Sequence, residues 1–173
     1  MLRAVEPAAA PPASKTSVEA IGLADVVSIE AGALVQAWKK WRGWHAMPPY
    51  QAFADAALGP FLDHASVARV IDDGRDYEFE FIGDAHVRAY GVNHQGRRVS
   101  DLEKHSPRFA RQLRASYDFV RISGRPQAFQ GTIGADLSPS RFAWFETAYL
   151  PLSFLGKVGY ILNAAAYRLT AEA

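Results

Sequence analysis

The chain has 173 residues, of which 49% are hydrophobic, 12% aromatic and 21% charged, which is the composition of an ordinary globular protein. It contains no cysteine, and this excludes disulfides, thiolate metal sites, iron–sulfur clusters and thiol nucleophiles or adducts. There is no apolar run long enough to span a bilayer and no basic segment followed by an apolar core at the start, so a cytoplasmic location without a membrane span is expected.

The formal net charge of +1 is the sum of two opposed blocks. Residues 46–96 carry eight acidic and three basic side chains, whereas residues 97–125 carry eight basic and three acidic ones. Such blocks generally lie on opposite solvated faces, although they can also orient a partner protein. A nearly neutral total without a recognition motif argues against nucleic acid as a partner.

The N-terminal part of the chain divides into two stretches. Residues 1–16 are rich in Ala and Pro and too poor in large apolar side chains to pack, so they are expected to be flexible. Residues 17–30 fit a short strand or a helix equally well. We therefore assign residues 1–31 to a flexible N-terminal segment and residues 32–173 to a single domain.

A helix is predicted from Gly32 onward, because Leu34, Trp38 and Trp41 recur on one helical face. The prolines of Met47-Pro48-Pro49 end it. A second short helix is predicted over residues 51–63.

Strands are predicted over residues 65–72 and 77–81, the second because aromatic and acidic residues alternate strictly. Alternation would place Tyr77, Phe79 and Phe81 on one face. Short helical turns follow over residues 84–91 and 98–104. Ser106-Pro107 then predicts the start of a helix that ends at Gly124.

Three strands complete the pattern, over residues 127–133, 141–150 and 157–168. The prediction is an α+β fold: a five-stranded antiparallel sheet with helices on one face, and the N-terminal helix packing on the sheet or on a dimer partner. Both faces of strand 141–150 are apolar, with Phe142 and Trp144 on one face and Phe145 and Tyr149 on the other. The alternation does not say which face lines a cavity.

The ordered set of motifs resembles the PAS domain family, in particular a single-domain group of alphaproteobacterial type. The matching stretches span about residues 34–168 and are Tyr77-Glu78-Phe79-Glu80-Phe81-Ile82-Gly83, Tyr90-Gly91 with Gly96-Arg97 and Asp101-Leu102, and Phe145-Glu146 with Leu150-Pro151-Leu152-Ser153 and Gly156. Phe154-Leu155 departs from the polar residues usual in that loop. The resemblance implies a signal-sensing or dimerisation module whose cavity lies between the helical segment and the inner sheet face.

Cofactor chemistry is constrained by the residue types. Missing cysteine excludes a covalent chromophore. Haem would need an axial ligand such as His86, His94 or His105, but loop histidines are more often solvated or hydrogen-bonded. No glycine pattern that cradles phosphate supports a non-covalent flavin. Neither haem nor flavin is expected, and the identity of any ligand stays open.

The cavity candidates are mostly aromatic and come from the inner sheet face and the long helix: Phe79, Phe81, Phe109, Leu113, Tyr117, Phe129, Phe142, Trp144, Glu146 and Tyr160. Two interpretations of Glu146 stay open: a carboxyl group in the cavity, or a surface partner of Arg168 or Arg141. The latter is favoured. Large apolar side chains of the helix that begins at Gly32 and of the other face of strand 141–150 are interface candidates: Leu34, Trp38, Trp41, Phe145 and Tyr149.

The expected function is that of a sensory PAS module without an output domain of its own, which binds a small ligand, a signalling partner or a second copy of itself. The alternative is a small cone-shaped α+β enzyme, a hydrolase or isomerase, that uses Asp84 with His86 or Asp101 with His105 for acid–base chemistry. The sequence contains no recognisable catalytic or metal motif, so we expect no enzyme.

Overall fold

In the described part of the chain, six strands pair antiparallel in one sheet, in the order β1-β4-β5-β6-β2-β3. The computed structural model describes residues 15–132 and 142–169. Ile133 and Arg141, which were assigned to strands, lie outside them. The strands are Ser17–Ile21 (β1), Ala65–Ile71 (β2), Asp76–Ile82 (β3), Gln127–Thr132 (β4), Phe142–Phe154 (β5) and Lys157–Leu169 (β6). The predicted α+β class with an antiparallel sheet is confirmed.

The described residues form the α-helices Ile29–Arg42 (α1), Tyr50–Ala54 (α2), Asp84–Tyr90 (α3), Val99–Leu102 (α4) and Pro107–Ser123 (α5). α5 starts and stops at its sequence signals: Pro107 occupies the first turn, and Gly124 takes a left-handed φ of 65° while its N–H bonds the Val120 carbonyl at 2.9 Å. In the described part of the chain, none of the helices is long and apolar enough to cross a membrane.

The predicted helix over residues 51–63 is wrong in its second half. α2 ends at Ala54, and the segment Gly59–His64 is a 3-10 turn. Gly59 has a φ of +54° and Pro60 lacks an amide hydrogen, so neither residue continues the helix of α2.

β1 is the sixth strand, where the sequence predicted five. It pairs with β4 from Ser17 opposite Thr132 to Ile21 opposite Ala128. Gly131 permits this close approach, because a Cβ atom there would lie 1.9 Å from the Ser17 carbonyl oxygen. Residues 17–21, which the sequence left open between strand and helix, thus form a strand. The side chains of β1 are mostly exposed, so backbone pairing decides its conformation.

α1 packs on one face of the sheet and α5 on the other. Leu34, Val35 and Trp38 of α1 are buried against Leu150 and Leu162 of the central strands. Trp38 also donates a hydrogen bond from Nε1 to the Pro151 carbonyl at 2.8 Å. The N-terminal helix therefore packs on the sheet of its own chain.

A bulge in β3 changes which face its side chains occupy. In β3 the pairing passes from Phe79 opposite Ala68 to Phe81 opposite Val67, so Glu80 is the extra residue. As a result Tyr77 and Phe79 pack towards α5, whereas Phe81 packs with the α1 cluster. The predicted placement of all three aromatic side chains on one face is wrong. The pairing of β5 with β6 has two further irregularities, at Phe142/Trp144 and at Leu152/Ser153, and at the second one Gly159 of β6 has no opposite residue.

Candidate ligand-binding chamber

A chamber of about 280 Å³ lies between α5, the end of α3 and the sheet. Its walls carry six aromatic side chains, and a smaller lobe of about 40 Å³ continues from it towards Phe79 and Tyr117. The residues that line the main chamber are Val18, Tyr90, Phe109, Gln112, Leu113, Ala115, Ser116, Phe129, Phe145, Thr147, Tyr149, Asn163 and Tyr167.

The alternation of β5 decides the chamber wall. Phe145, Thr147 and Tyr149 face the chamber, whereas Trp144 and Glu146 point to the opposite face, towards α1. The predicted cavity face of this strand is therefore inverted. Because a strand alternates strictly, correcting one residue moves its neighbours as well.

The mouth of the chamber opens between α5 and the β1 edge of the sheet. Gln112 and Ala115 of α5 are exposed on one side, and Val18 of β1, 44% exposed, lies on the other. The unpredicted sixth strand thus forms one lip of the opening.

A hydrogen-bonded chain of neutral groups runs along one wall. His86 is 4% exposed, and its Nε2 lies 3.2 Å from the His64 carbonyl oxygen, which can only accept. His86 Nε2 therefore carries the proton, and the Tyr167 hydroxyl donates to Nδ1 at 2.8 Å. Burial lowers the pKa of His86 to about 4, so the imidazole is neutral near pH 7.

The buried phenols of the chamber are also neutral. Burial raises the pKa of Tyr149 to about 12. The same cause holds the pKa of Tyr90, Tyr117 and Tyr167 well above the ordinary value. These hydroxyl groups can exchange hydrogen bonds with a guest but do not supply charge.

Two side chains of the chamber carry hydrogen-bond donors. The Thr147 hydroxyl donates to Asn163 Oδ1 at 2.5 Å, which distinguishes that oxygen from the amide nitrogen of the side chain. Tyr117 is 1% exposed, and its side chain lines the smaller lobe. The Asn163 amide and the Tyr117 hydroxyl can therefore each donate a hydrogen bond to a guest.

The predicted cavity residues divide between the two faces. Phe109, Leu113 and Phe129 line the main chamber, and Phe79 and Tyr117 line the smaller lobe. The candidates that pack on the α1 face instead are Phe81, Trp144, Glu146 and Tyr160. The side chain of Phe142 lies outside the described part. The chain's bulges and the inverted β5 face account for these misplacements.

The five interface candidates lie against the sheet or in the chamber. Leu34 and Trp38 are buried against their own sheet and Trp41 is half-buried beside Phe53, while Phe145 and Tyr149 line the chamber. None of the five is thus a largely exposed side chain.

Several chamber residues were missed from the sequence: Val18, His86, Tyr90, Thr147, Asn163 and Tyr167. One signal was available for Asn163, which is the single polar side chain in the apolar run 161–166. A polar residue in a buried strand needs a partner, and that need marks a candidate site.

Glu146 serves neither of its two predicted purposes. Its carboxyl group is fully buried and lies at the start of α1, where Oε1 accepts from the backbone N–H of Ser28 at 2.8 Å and from its hydroxyl. Oε2 accepts from the Val27 N–H at 3.1 Å. Arg168 instead pairs with Glu30 at 3.6 Å, and Arg141 lies outside the described residues. Glu146 thus ties the outer face of β5 to the chain that enters α1.

The Asp/His pairs do not meet in the chamber. Asp84 and His105 are exposed, and Asp101 accepts a hydrogen bond from the Arg98 backbone at 3.0 Å. Across residues 15–132 and 142–169, no three His, Cys, Asp or Glu side chains come together as metal ligands.

No protein-family model matches this chain. No curated protein matches it either.

Proposed function

We propose that this chain is a sensory module of the PAS type, which binds a small molecule in the chamber and responds to that binding by a change in the position of α1. The observation that carries the proposal is the alternation of β5 between two environments. Phe145 and Thr147 line the chamber, and Glu146 between them holds Ser28 at the start of α1. A shift of β5 caused by a guest would therefore move the anchor of α1.

Two further features support a PAS-like module. From β2 onward the chain runs through two strands, short helices, one longer helix and three strands, which is the order on which the resemblance rests; β1 is an additional strand ahead of it. The chamber lies between the helical segment and the sheet, as that resemblance implies.

The proposal is one of binding rather than catalysis. Among the described residues that line the chamber, none carries a carboxyl group. The lowered pKa of His86 makes its imidazole a weak base near neutral pH. The signal would pass to a second copy of the chain or to a signalling protein, and light scattering of the purified protein decides whether a second copy is present.

The coupling can be tested without knowing the ligand. Leu113 is 6% exposed and lines both lobes, so Leu113→Trp places added volume inside the chamber. We expect hydrogen exchange of the α1 amides to change by about fivefold or more, the lower end of coupling between two sites.

The matched control is Leu155→Trp, at a hairpin tip where Leu155 is 88% exposed. It should leave exchange in α1 unchanged. If Leu113→Trp alters exchange in β5 and α5 but not in α1, the chamber is not coupled to the helix and the proposed sensor is contradicted.

A further inference from the structure

The walls of the chamber are built to contact flat rings. Six of its side chains are aromatic: Tyr90, Phe109, Phe129, Phe145, Tyr149 and Tyr167. Ring faces and edges stabilise an aromatic guest through stacked and edge-to-face contacts beyond the area they bury. A volume of about 280 Å³ is at the small end of ligand pockets. One or two rings fit such a space.

The chamber is also uncharged. No Asp, Glu, Lys or Arg belongs to its described lining, and the histidines of the smaller lobe are neutral because burial lowers the pKa of both His86 and His94. A charged guest would lose its hydration without gaining a counter-ion, which costs several kcal/mol or more. The guest is therefore uncharged.

Two side chains that can donate hydrogen bonds line the chamber. Asn163 lines both lobes, and Tyr117 lines the smaller one. Asn163 Oδ1 already accepts from the Thr147 hydroxyl, and the Asn163 amide hydrogens are donors. The group that satisfies this amide must be an acceptor, and a carbonyl oxygen can accept from the amide and the phenol together.

Resting on the proposed function, we propose that the chamber binds an uncharged aromatic molecule of one or two rings that carries a carbonyl oxygen. The ring lies among the six aromatic side chains. The oxygen accepts hydrogen bonds from the Asn163 amide and the Tyr117 hydroxyl.

Three naphthalenes of nearly equal shape test the ligand class: 2-acetylnaphthalene, 2-ethylnaphthalene and 2-naphthoate at pH 7. The first is uncharged with a carbonyl, the second lacks the oxygen and the third is an anion. Calorimetry supported by ligand-detected NMR should show 2-acetylnaphthalene binding about tenfold or more tightly than either analogue, as expected for an unpaired donor or an unpaired charge. Equal or tighter binding of either analogue overturns the proposal.

Tyr117→Phe tests the place of the oxygen. The substitution keeps the aromatic ring and removes only the hydroxyl, so the fold should stay intact. It should weaken 2-acetylnaphthalene about fivefold and leave the affinity of 2-ethylnaphthalene unchanged. Tyr50→Phe is the matched control, because Tyr50 bonds Glu80 on the α1 side of the sheet. An unchanged affinity for the ketone in Tyr117→Phe overturns this placement.

Failure of this ligand class can be told from failure of the sensor. Tight binding of an analogue contradicts the class while it leaves the chamber as a ligand site. If none of the three naphthalenes binds, the ligand class is overturned. The hydrogen-exchange experiment on Leu113→Trp needs no ligand, so it tests the coupling of the chamber to α1 independently.

Discussion

Replacing Glu146 tests whether a buried carboxyl group holds α1 on the sheet. In Glu146→Ala the Ser28 N–H and hydroxyl lose their acceptor, and Ser28 is only 7% exposed. An unsatisfied buried polar group costs about 1–3 kcal/mol. The Val27 N–H adds little, since Val27 is 79% exposed and water can replace the lost bond. We expect the free energy of unfolding to fall by about 2–5 kcal/mol.

Glu146→Gln separates the acceptor from the charge. Both bonds from Ser28 go to Oε1, so an amide oxygen in the same place can keep them, and only the bond from Val27 is lost. The expected cost is about 1 kcal/mol. A chain of this length loses about 2–4 °C of melting temperature per kcal/mol. The alanine variant should therefore melt roughly 5–15 °C below the wild type, and the glutamine variant much closer to it.

Glu103→Ala is the matched control. Its carboxyl group is exposed and forms a 3.7 Å ion pair with Arg114, so the loss should stay below about 0.5 kcal/mol. Calorimetric melting and hydrogen exchange at residues 27–32 measure both effects. If the melting temperatures of Glu146→Ala and Glu103→Ala differ by less than about 1 °C, the anchoring of α1 by Glu146 is refuted.

Two further predictions concern buried side chains on each face. Burial lowers the pKa of His86 to about 4 from 6.5, so the unfolded chain binds more protons between these values and stability should fall as the pH drops from about 6.5 to about 4. Melting temperatures against pH should show a shallower decline in His86→Gln but not in His105→Gln, and equal slopes would contradict the burial of a neutral His86. Trp38→Phe loses the bond to Pro151 and should cost about 1–3 kcal/mol in urea unfolding. Trp44→Phe, at a fully exposed position, should cost under about 0.5 kcal/mol, and equal losses would refute the packing of Trp38 on the sheet.

The element pattern was readable where a local signal exists. Pro107 and Gly124 delimit α5 because one lacks an amide hydrogen at a position that needs none and the other takes a left-handed φ. The helix over 51–63 failed because residues 55–58 kept an apolar, helix-compatible composition, whereas α2 ends at Ala54. Propensity in a short segment is weaker than the packing that finally shapes it.

The candidate site was harder to predict because the sequence of a strand shows which side chains share a face but not which element covers that face. Phe145 and Glu146 are adjacent, and the apolar pattern of β5 fits either assignment of faces. One bulge at Glu80 then separates Phe81 from Phe79. Neither the side that α5 covers nor the position of a bulge is encoded in a window of a few residues.

The sequence by itself determined the class, five of the antiparallel strands, both ends of α5 and the absence of thiol chemistry, because these depend on residue type, period and caps within short segments. It did not determine the ends of α1, which was predicted from Gly32 to the prolines after Met47 but runs over Ile29–Arg42 and ends at Gly43. Only the tertiary structure decided that β1 joins the sheet through Gly131, that β5 turns Phe145 and Thr147 to the chamber, and that Glu146 ties Ser28 to the other face. Those outcomes depend on contacts between segments up to 119 positions apart. Distant backbone pairing and the burial of polar groups are balanced over the whole fold rather than within one segment.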